Sequence, residues 1–506
     1  MLDTAIVGSG LCGLSLAASL KGRGRAFALY EARERLGGRA YSVDGFDLGP
    51  TWFWPDIHPR MKRMVEDHDL AHFSQHDTGT VQQLFDPDKK PEKVLAPEVH
   101  GGARRIPGGV ASLVDALAKD IPEEAIFLGR ELISVRNAGD HVELVFACGE
   151  AKEIVKARHA VLAIPPRILE ERVQFEPDLA DETRSAMRKT PTWMADQAKA
   201  AIRFESPFWR MAGESGNAFV RHEQAVLGEI YDACDGNRAA LAGFFALPAG
   251  FRSAIDEEGI RMLVSSQLVQ IFGIDAAAGE QHIKDWADDA HTCSTLDLEP
   301  ETGHPAYGNK ALALPLWEGR LFLGGSESAE YGGGYMEGAL DAAARILRDL
   351  AETDFEAGTN DACIVRFGKS VRALREGALS RYRQNLQRRL AAQASEHLTR
   401  NALIDTVDAV YSEALARIDG LPFDASLAGV HRGRSDLTPS VLEPFDGFLG
   451  SLIEEVRAFN MSSCAISNFP DEHELADDYL KTIKGDLASA WRRFAIGVNE
   501  SLLKRA

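Results

Sequence analysis

Hydrophobic and polar positions change rhythm along this chain, and the changes predict its elements. Ala5-Ile6-Val7 and Phe27 to Tyr30 are short apolar runs of the kind that form strands buried on both faces. Between them, Leu14 to Leu20 carries apolar residues at helical spacing. Gln197 to Phe204 and Leu321-Phe322-Leu323 read as further strands. Beyond residue 351 the rhythm becomes helical. Val371 to Leu398 and Leu403 to Ile418 repeat apolar residues at i, i+3 and i+4, a break falls at Gly420-Leu421-Pro422, and Asp471 to Leu503 is helical again. The pattern predicts an α/β N-terminal part followed by a helical C-terminal part.

Gly8-Ser9-Gly10-Leu11-Cys12-Gly13 joins the first strand to the first helix as G-x-G-x-x-G, and Glu31 stands at the end of the second strand. This order suits an adenine dinucleotide. Gly8 permits the tight turn, Gly10 lets the backbone approach a pyrophosphate, and Gly13 lets helix and strand pack closely. The pyrophosphate rests on free N–H groups at the helix start, and Glu31 accepts from a ribose 2′-hydroxyl. Alone, the glycines would fit any turn between core elements. Both strands, the helix and the acid in sequence argue against that.

Glu31-Ala32-Arg33 and Leu36-Gly37-Gly38-Arg39 extend the motif with glycines that bring a second turn to the cofactor and an arginine that can neutralise its pyrophosphate. The extended motif resembles the FAD grip of the flavin-containing amine oxidase family. Gly324-Gly325-Ser326-Glu327 and Gly334-Tyr335-Met336-Glu337-Gly338-Ala339 are similar to the family's closing motif. There the resemblance implies Glu327 near the ribityl–pyrophosphate region and the Met336 backbone facing the flavin pyrimidine. Lys199, eight residues before Pro207-Phe208-Trp209, resembles the family lysine that holds a water beside flavin N5. Ala163-Ile164-Pro165-Pro166 and Arg105-Ile106-Pro107-Gly108-Gly109 resemble the crossings between FAD and substrate regions. The implied fold is α/β. A discontinuous Rossmann-like FAD-binding domain takes residues 1–75, 104–165 and 318–350, an α+β substrate domain takes 76–103 and 166–317, and a helical domain takes 351–506. Arg33, Gly38, Thr51, Trp52 and Val135 complete the implied cofactor set.

Departures from the family pattern matter as much. The family often cages the amine between two aromatic rings before the flavin. Tyr335 matches one wall. The other region, after Trp286, reads Cys293-Ser294-Thr295-Leu296 with no aromatic, so Tyr307 is a candidate replacement and Thr295 a candidate lining residue. Trp52 and Trp54, following Asp47-Leu48-Gly49-Pro50, are further pocket candidates, with a core role equally open to Phe53 and Trp54. Cys293 is out of register for covalent attachment, so non-covalent FAD is expected. Thr51 and Trp52 stand where amino-acid oxidases of this superfamily carry a carboxylate-binding arginine, which disfavours an α-amino acid unless Arg210 or Arg104 substitutes. The segment from Pro55 to Arg104 is short, with one helix near Met61 to His68. The C-terminal helices are expected either to replace missing helices over the site or to bind a partner or second copy.

Composition narrows the setting. Lys+Arg of 56 against Asp+Glu of 76 gives a net charge of −20, which argues against a nucleic-acid partner. The cysteines form no C-x-x-C or disulfide framework, fitting a reducing compartment. The first strand starts next to Met1 and no apolar run approaches a membrane span, so a cytoplasmic protein without a membrane partner or metal is expected. The expected reaction is FAD-dependent amine oxidation. A hydride passes from the amine α-carbon to flavin N5, the imine hydrolyses to a carbonyl compound, and O2 or another acceptor reoxidises the flavin, with H2O2 as the product of O2. Lys199 and Tyr335 are the expected catalytic residues. A flavin-dependent desaturase or C–C dehydrogenase and a non-catalytic FAD-binding interaction protein are the alternatives. The class of amine and a homodimer stay open.

Overall fold

The computed structural model describes every residue except 97, 299–306, 354–359, 393–395, 422, 425–427, 432, 464–465, 467–468, 470–471, 474 and 505–506. Residues 1–347 and 348–506 form separate compact units. In the first, Leu2–Val7 is the parallel neighbour of both Phe27–Tyr30 and Ala151–Leu162. The sheet continues outward through Val142–Cys148, Glu131–Asn137 and the edge strand Gln174–Glu176 on one side, and through Ile126–Phe127 on the other. Leu321–Leu323 pairs in parallel with Ala160 to Leu162, returning the chain to this sheet from residues far along it. Ile6, Ala160, Val161, Leu162 and Phe322 are fully buried, as continuous apolar runs in a covered parallel sheet should be. The helix Leu11–Gly22 springs from the end of the first strand. This is the Rossmann-like arrangement expected from the sequence.

A second, mixed sheet runs in the order Glu280–Asp285, Ala198–Phe204, Ala239–Phe245, Leu227–Asp232, Glu214–Val220, Thr80–Leu84, Glu92–Leu95. Its residues alternate between two environments, because successive side chains of a strand point to opposite faces. Ala198, Ala200, Ile202, Ile230 and Leu241 pack toward Ile260, Val264 and Leu268 of the helix Glu257–Phe272. Ala201, Tyr231, Ala240 and Ala242 face Phe46, Leu48 and Trp52 instead. Lys199 shares the parity of Ala201, so its side chain is delivered to that second face.

The unit of residues 348–506 is helical. Leu398–Asp419 is its central helix and contacts both Ala378–Ala391 and Asp477–Leu503. Tyr411 and Phe494 stack across that core with ring centroids 4.4 Å apart. The periodic stretch from Val371 is divided after Glu376, since Asn360–Glu376 ends there and the next helix begins at Ala378; part of its far end falls outside the described residues. A small hairpin, Val430–His431 with Arg434–Ser435, and the helix Phe448–Ser462 carried no clear signal in the pattern. Buried Glu472 accepts from the backbone N–H groups of Leu398 and Thr399, both at 2.8 Å, and from the Tyr479 hydroxyl. Substituting Glu472→Ala strands those donors at a helix start and is expected to cost about 2 kcal/mol. Urea denaturation followed by far-UV circular dichroism should show an earlier transition. Among the described residues no helix is long and apolar enough to cross a membrane.

Candidate active site

The glycine turn is built by steric necessity. Gly8 has φ +99°, and a Cβ there would lie 2.4 Å from the Ala163 carbonyl oxygen. At Gly13 a Cβ would lie 1.9 Å from the Gly8 carbonyl oxygen, so only glycine allows this helix to leave the strand so closely. A Cβ at Gly10 would meet nothing within 4 Å. It would project instead into a cavity lined by Gly8, Gly10, Gly37, Gly38 and Arg39 at the start of the Leu11–Gly22 helix. That open cradle at a helix N-terminus fits a pyrophosphate.

Glu31 lines the same cavity and is buried; its carboxylate accepts from Ser9 N–H at 2.8 Å, Ser9 Oγ–H at 2.7 Å and Arg33 N–H at 3.0 Å. Arg33 is itself held by Asp289 and by Thr292 Oγ1 at 2.9 Å. Arg39 is clamped from behind by Glu327 at 2.7 Å, and donates to the Trp193 carbonyl at 3.1 Å. Burial alone would raise the Glu327 pKa, but the Arg39 charge and its hydrogen bonds outweigh burial and hold the carboxyl below its usual range. Glu327 is buried and not among the lining residues; it supports the cavity wall through Arg39, the Ser326 hydroxyl and the Trp193 N–H. Met336, at the first turn of Met336–Thr353, does line it.

The same cavity is also lined by Gly49, Thr51, Trp52, Trp54, Trp193, Lys199, Phe244 and Tyr335. Lys199 is 2% exposed, and its Nζ donates to the Gly49 carbonyl at 2.9 Å and to Thr51 Oγ1. Thr51 Oγ1 also bonds the Tyr231 hydroxyl at 3.1 Å. Rings of Phe244, Tyr231 and Trp52 surround the Nζ, with centroids 5.0, 5.4 and 6.0 Å away. Burial among them lowers the lysine pKa to about 7, against a smaller opposing pull from Asp47. Tyr335 is 39% exposed and has Trp193 at 6.4 Å, Trp54 at 6.5 Å and His58 at 5.5 Å between ring centroids.

Several expected site residues lie elsewhere. Val135 is fully buried in the hydrophobic core, and Leu132 of the same strand reaches the cavity instead, beyond a register shift between Leu132 and Ser134. Thr295 is turned outward, its N–H and hydroxyl both bonded to Glu171 in an exposed setting. The neighbouring Asp297 is buried by Arg167, Ser294 and the Thr192 N–H, and this fixes the turn in that direction. Tyr307 packs on the Gly333-Gly334 backbone and bonds the Pro191 carbonyl, behind the lining rather than in it. Arg210 is consumed by Asp232, with bonds of 2.6 and 2.7 Å, and Arg104 bonds Ser74, so neither supplies a carboxylate clamp in the cavity. Trp193, which the sequence reading passed over, sits beside Tyr335. Its signal was an isolated aromatic in Pro191-Thr192-Trp193-Met194, six residues ahead of Lys199.

Comparison with known proteins agrees with the fold. Residues 6–68 match the model of an NAD(P)-binding Rossmann-like domain, and residues 89–347 match that of the flavin containing amine oxidoreductase family. A flavin-containing amine oxidase of Danio rerio is 23% identical over 69% of this chain and 85% of its own length. Amine oxidase B of Sus scrofa is 25% identical over 51% of this chain and 49% of its own length. Cyclohexylamine oxidase from Brevibacterium oxydans superposes with a TM-score of 0.59 at 17% identity, over 70% of this chain and 99% of its own. A putrescine oxidase bound to putrescine gives 0.57 at 18% identity, over 69% and 99%. With its family match spanning half of the sequence and ending where the first compact unit ends, this chain belongs to the flavin containing amine oxidoreductase family.

Proposed function

We propose that this chain is an amine oxidase that holds FAD non-covalently. The observation that carries the reading is a buried lysine, its pKa lowered by burial to about 7, in the wall of the cavity that includes the glycine cradle. Gly10, Glu31, Gly38, Arg39 and Met336 would hold the cofactor, Glu31 at the adenosine ribose and Arg39 at the pyrophosphate. Cys293 is buried outside the lining, and Cys12 lines the cavity with its thiol pushed up to about 11 by burial, so neither offers a thiolate for attachment. When bound, FAD supplies the oxidising power that removes a hydride equivalent from the amine α-carbon, with O2 as the terminal acceptor.

The protein's own part is to bind, orient and take a proton. An amine arrives mostly as its ammonium, which cannot give up a hydride equivalent readily. Near pH 7 Lys199 sheds its proton; the neutral group keeps N–H bonds to Gly49 and Thr51 and turns a lone pair to the substrate ammonium or an intervening water. Tyr335, Trp54 and Trp193 present rings to the freed amine, and Phe244 and Trp52 exclude bulk water. The imine product hydrolyses to a carbonyl compound and an amine or ammonia.

The test is anaerobic. Purified protein with its flavin is titrated with primary, secondary and cyclic amines and with α-amino acids while the visible spectrum is recorded. Bleaching by amines and not by amino acids is the expected result. A flavin that no amine bleaches would reverse the reading in favour of a desaturase or a non-catalytic flavoprotein.

A further inference from the structure

The two acceptors of Lys199 differ in kind. Gly49 is fixed by its backbone: its N–H donates to the Tyr41 carbonyl at 3.2 Å, and Trp286 Nε1–H donates to the Leu48 carbonyl at 2.9 Å. A Cβ at Gly49 would lie 1.9 Å from the Arg39 carbonyl oxygen, so this segment has no room to shift. Thr51 offers a hydroxyl instead, which can turn and can both accept and donate. Among the described residues no carboxylate bonds the Lys199 nitrogen, and these two oxygens are its hydrogen-bond support. Charges act on it from a distance. Asp47 on the Ser42–Asp47 hairpin and Glu229 favour the ammonium, and Arg105 opposes it. Lys284, opposite Lys199 on the next strand, is neutralised by Asp289 at 3.0 Å.

Behind Thr51 stands Tyr231, whose hydroxyl is 3.1 Å from Thr51 Oγ1. Its strand, Leu227–Asp232, bulges at Gly228, since Leu227 is opposite Phe245 and Glu229 is opposite Phe244. Beyond the bulge Tyr231 is opposite Ala242 and lies on the side of the sheet that carries Lys199. It is 1% exposed, with the Trp52 ring at 4.6 Å and the Phe244 ring at 6.1 Å, so its hydroxyl is held in place. Burial pushes its ionisation far up, and it stays a hydroxyl wherever Lys199 titrates. Tyr231 does not line the cavity; Thr51 and Lys199 do.

We propose that Thr51 and Tyr231 are positioning residues that hold the Lys199 nitrogen at the cavity wall in both of its protonation states. Thr51 Oγ1 accepts from Lys199 and donates its own hydrogen to the Tyr231 oxygen, an order in which each bond polarises the next. Gly49 and Thr51 take two N–H groups. The third tetrahedral direction, an N–H in the ammonium and a lone pair in the neutral amine, is left for the cavity. Gly49 fixes where the nitrogen sits, and the hydroxyl pair sets how well its charge is tolerated there. The kinetic half of the test rests on the amine-oxidising reading above.

The experiment takes wild type, Thr51→Val, Thr51→Ser and Tyr231→Phe through thermal melts at pH 6 and pH 9, and through flavin reduction by an amine across pH. Valine keeps the shape of threonine and removes the acceptor. The Lys199 ionisation should then move to lower pH, by about tenfold in its dissociation constant, and the rate plateau should fall about tenfold. In the unfolded chain lysine keeps its ordinary value of 10.5, so a lower folded value makes charging costlier at pH 6. At pH 9 the folded lysine is neutral in both proteins. The stability gap between Thr51→Val and wild type should therefore be wider at pH 6 than at pH 9. Thr51→Ser should restore wild-type behaviour, and Tyr231→Phe should shift in the same direction by less. An equal gap at both pH values with an unmoved rate midpoint overturns the proposal and leaves amine oxidation standing. If no amine reduces the flavin, the amine-oxidising reading falls, and the melts alone decide the role of the hydroxyl pair.

Discussion

Replacing Lys199 by methionine is expected to slow amine-dependent flavin reduction by about 10²-fold and to erase the ionisation near pH 7 from the rate profile. Methionine approximates the apolar stem and removes the titrating nitrogen together with its bonds to Gly49 and Thr51. In the wild type the rate should climb as pH rises through about 7, because the proton-accepting form of Lys199 appears there. Stability carries the same signature with a defined sign. The folded lysine titrates near 7 and the unfolded one near its ordinary 10.5, so the unfolded chain binds more protons between those values. Below pH 7 the wild type bears the full cost of a buried ammonium, and that cost fades as pH climbs toward 10.5. The methionine variant has no such term and should be the more stable protein at pH 6, with the difference shrinking by pH 9. Stopped-flow reduction across pH and thermal melts at the two pH values check both halves. A rate profile unchanged by the substitution would remove Lys199 from the chemistry.

Glu327→Ala should have the larger effect on the cofactor. Arg39 lines the cavity with its side chain 26% exposed, and Glu327 is the carboxylate that pairs with it. Removing the carboxylate leaves a partly buried cation unpaired and deprives the Trp193 N–H and Ser326 hydroxyl of an acceptor. The expected loss is about 3 kcal/mol of stability and about 10²-fold in FAD affinity. The flavin-to-protein absorbance ratio of purified protein and a reconstitution titration measure it. Glu327→Gln keeps hydrogen bonds without the charge and should sit between wild type and alanine. Full flavin content in the alanine variant would mean that Arg39 needs no clamp.

What the sequence made legible follows from how local each signal is. Gly8 and Gly13 are readable because backbone contact excludes a Cβ, and that constraint is written at the residue itself. Lys199 is readable through its distance from Pro207 on one continuous strand. Glu327 was expected in the cofactor region, but its partner Arg39 lies 288 positions away, so a buried carboxylate pairing with a cavity-lining arginine could not be inferred. Thr295 and Val135 were misplaced because each depends on a turn or a register shift set by distant groups. Trp193 was missed for the same reason: it matters through neighbours across space. In the C-terminal unit the apolar period located helices, yet the division after Glu376 and the helix Phe448–Ser462 depended on packing.

The bulge at Gly228 has an evolutionary corollary. Gly228 is the unpaired residue between Leu227, opposite Phe245, and Glu229, opposite Phe244, so deleting it would restore an even ladder with both pairings and both faces kept. A descendant that had lost this one glycine would therefore keep the same side chains on each side of the sheet. Such a loss would register in a residue-by-residue comparison as a gap with no exchange of faces around it.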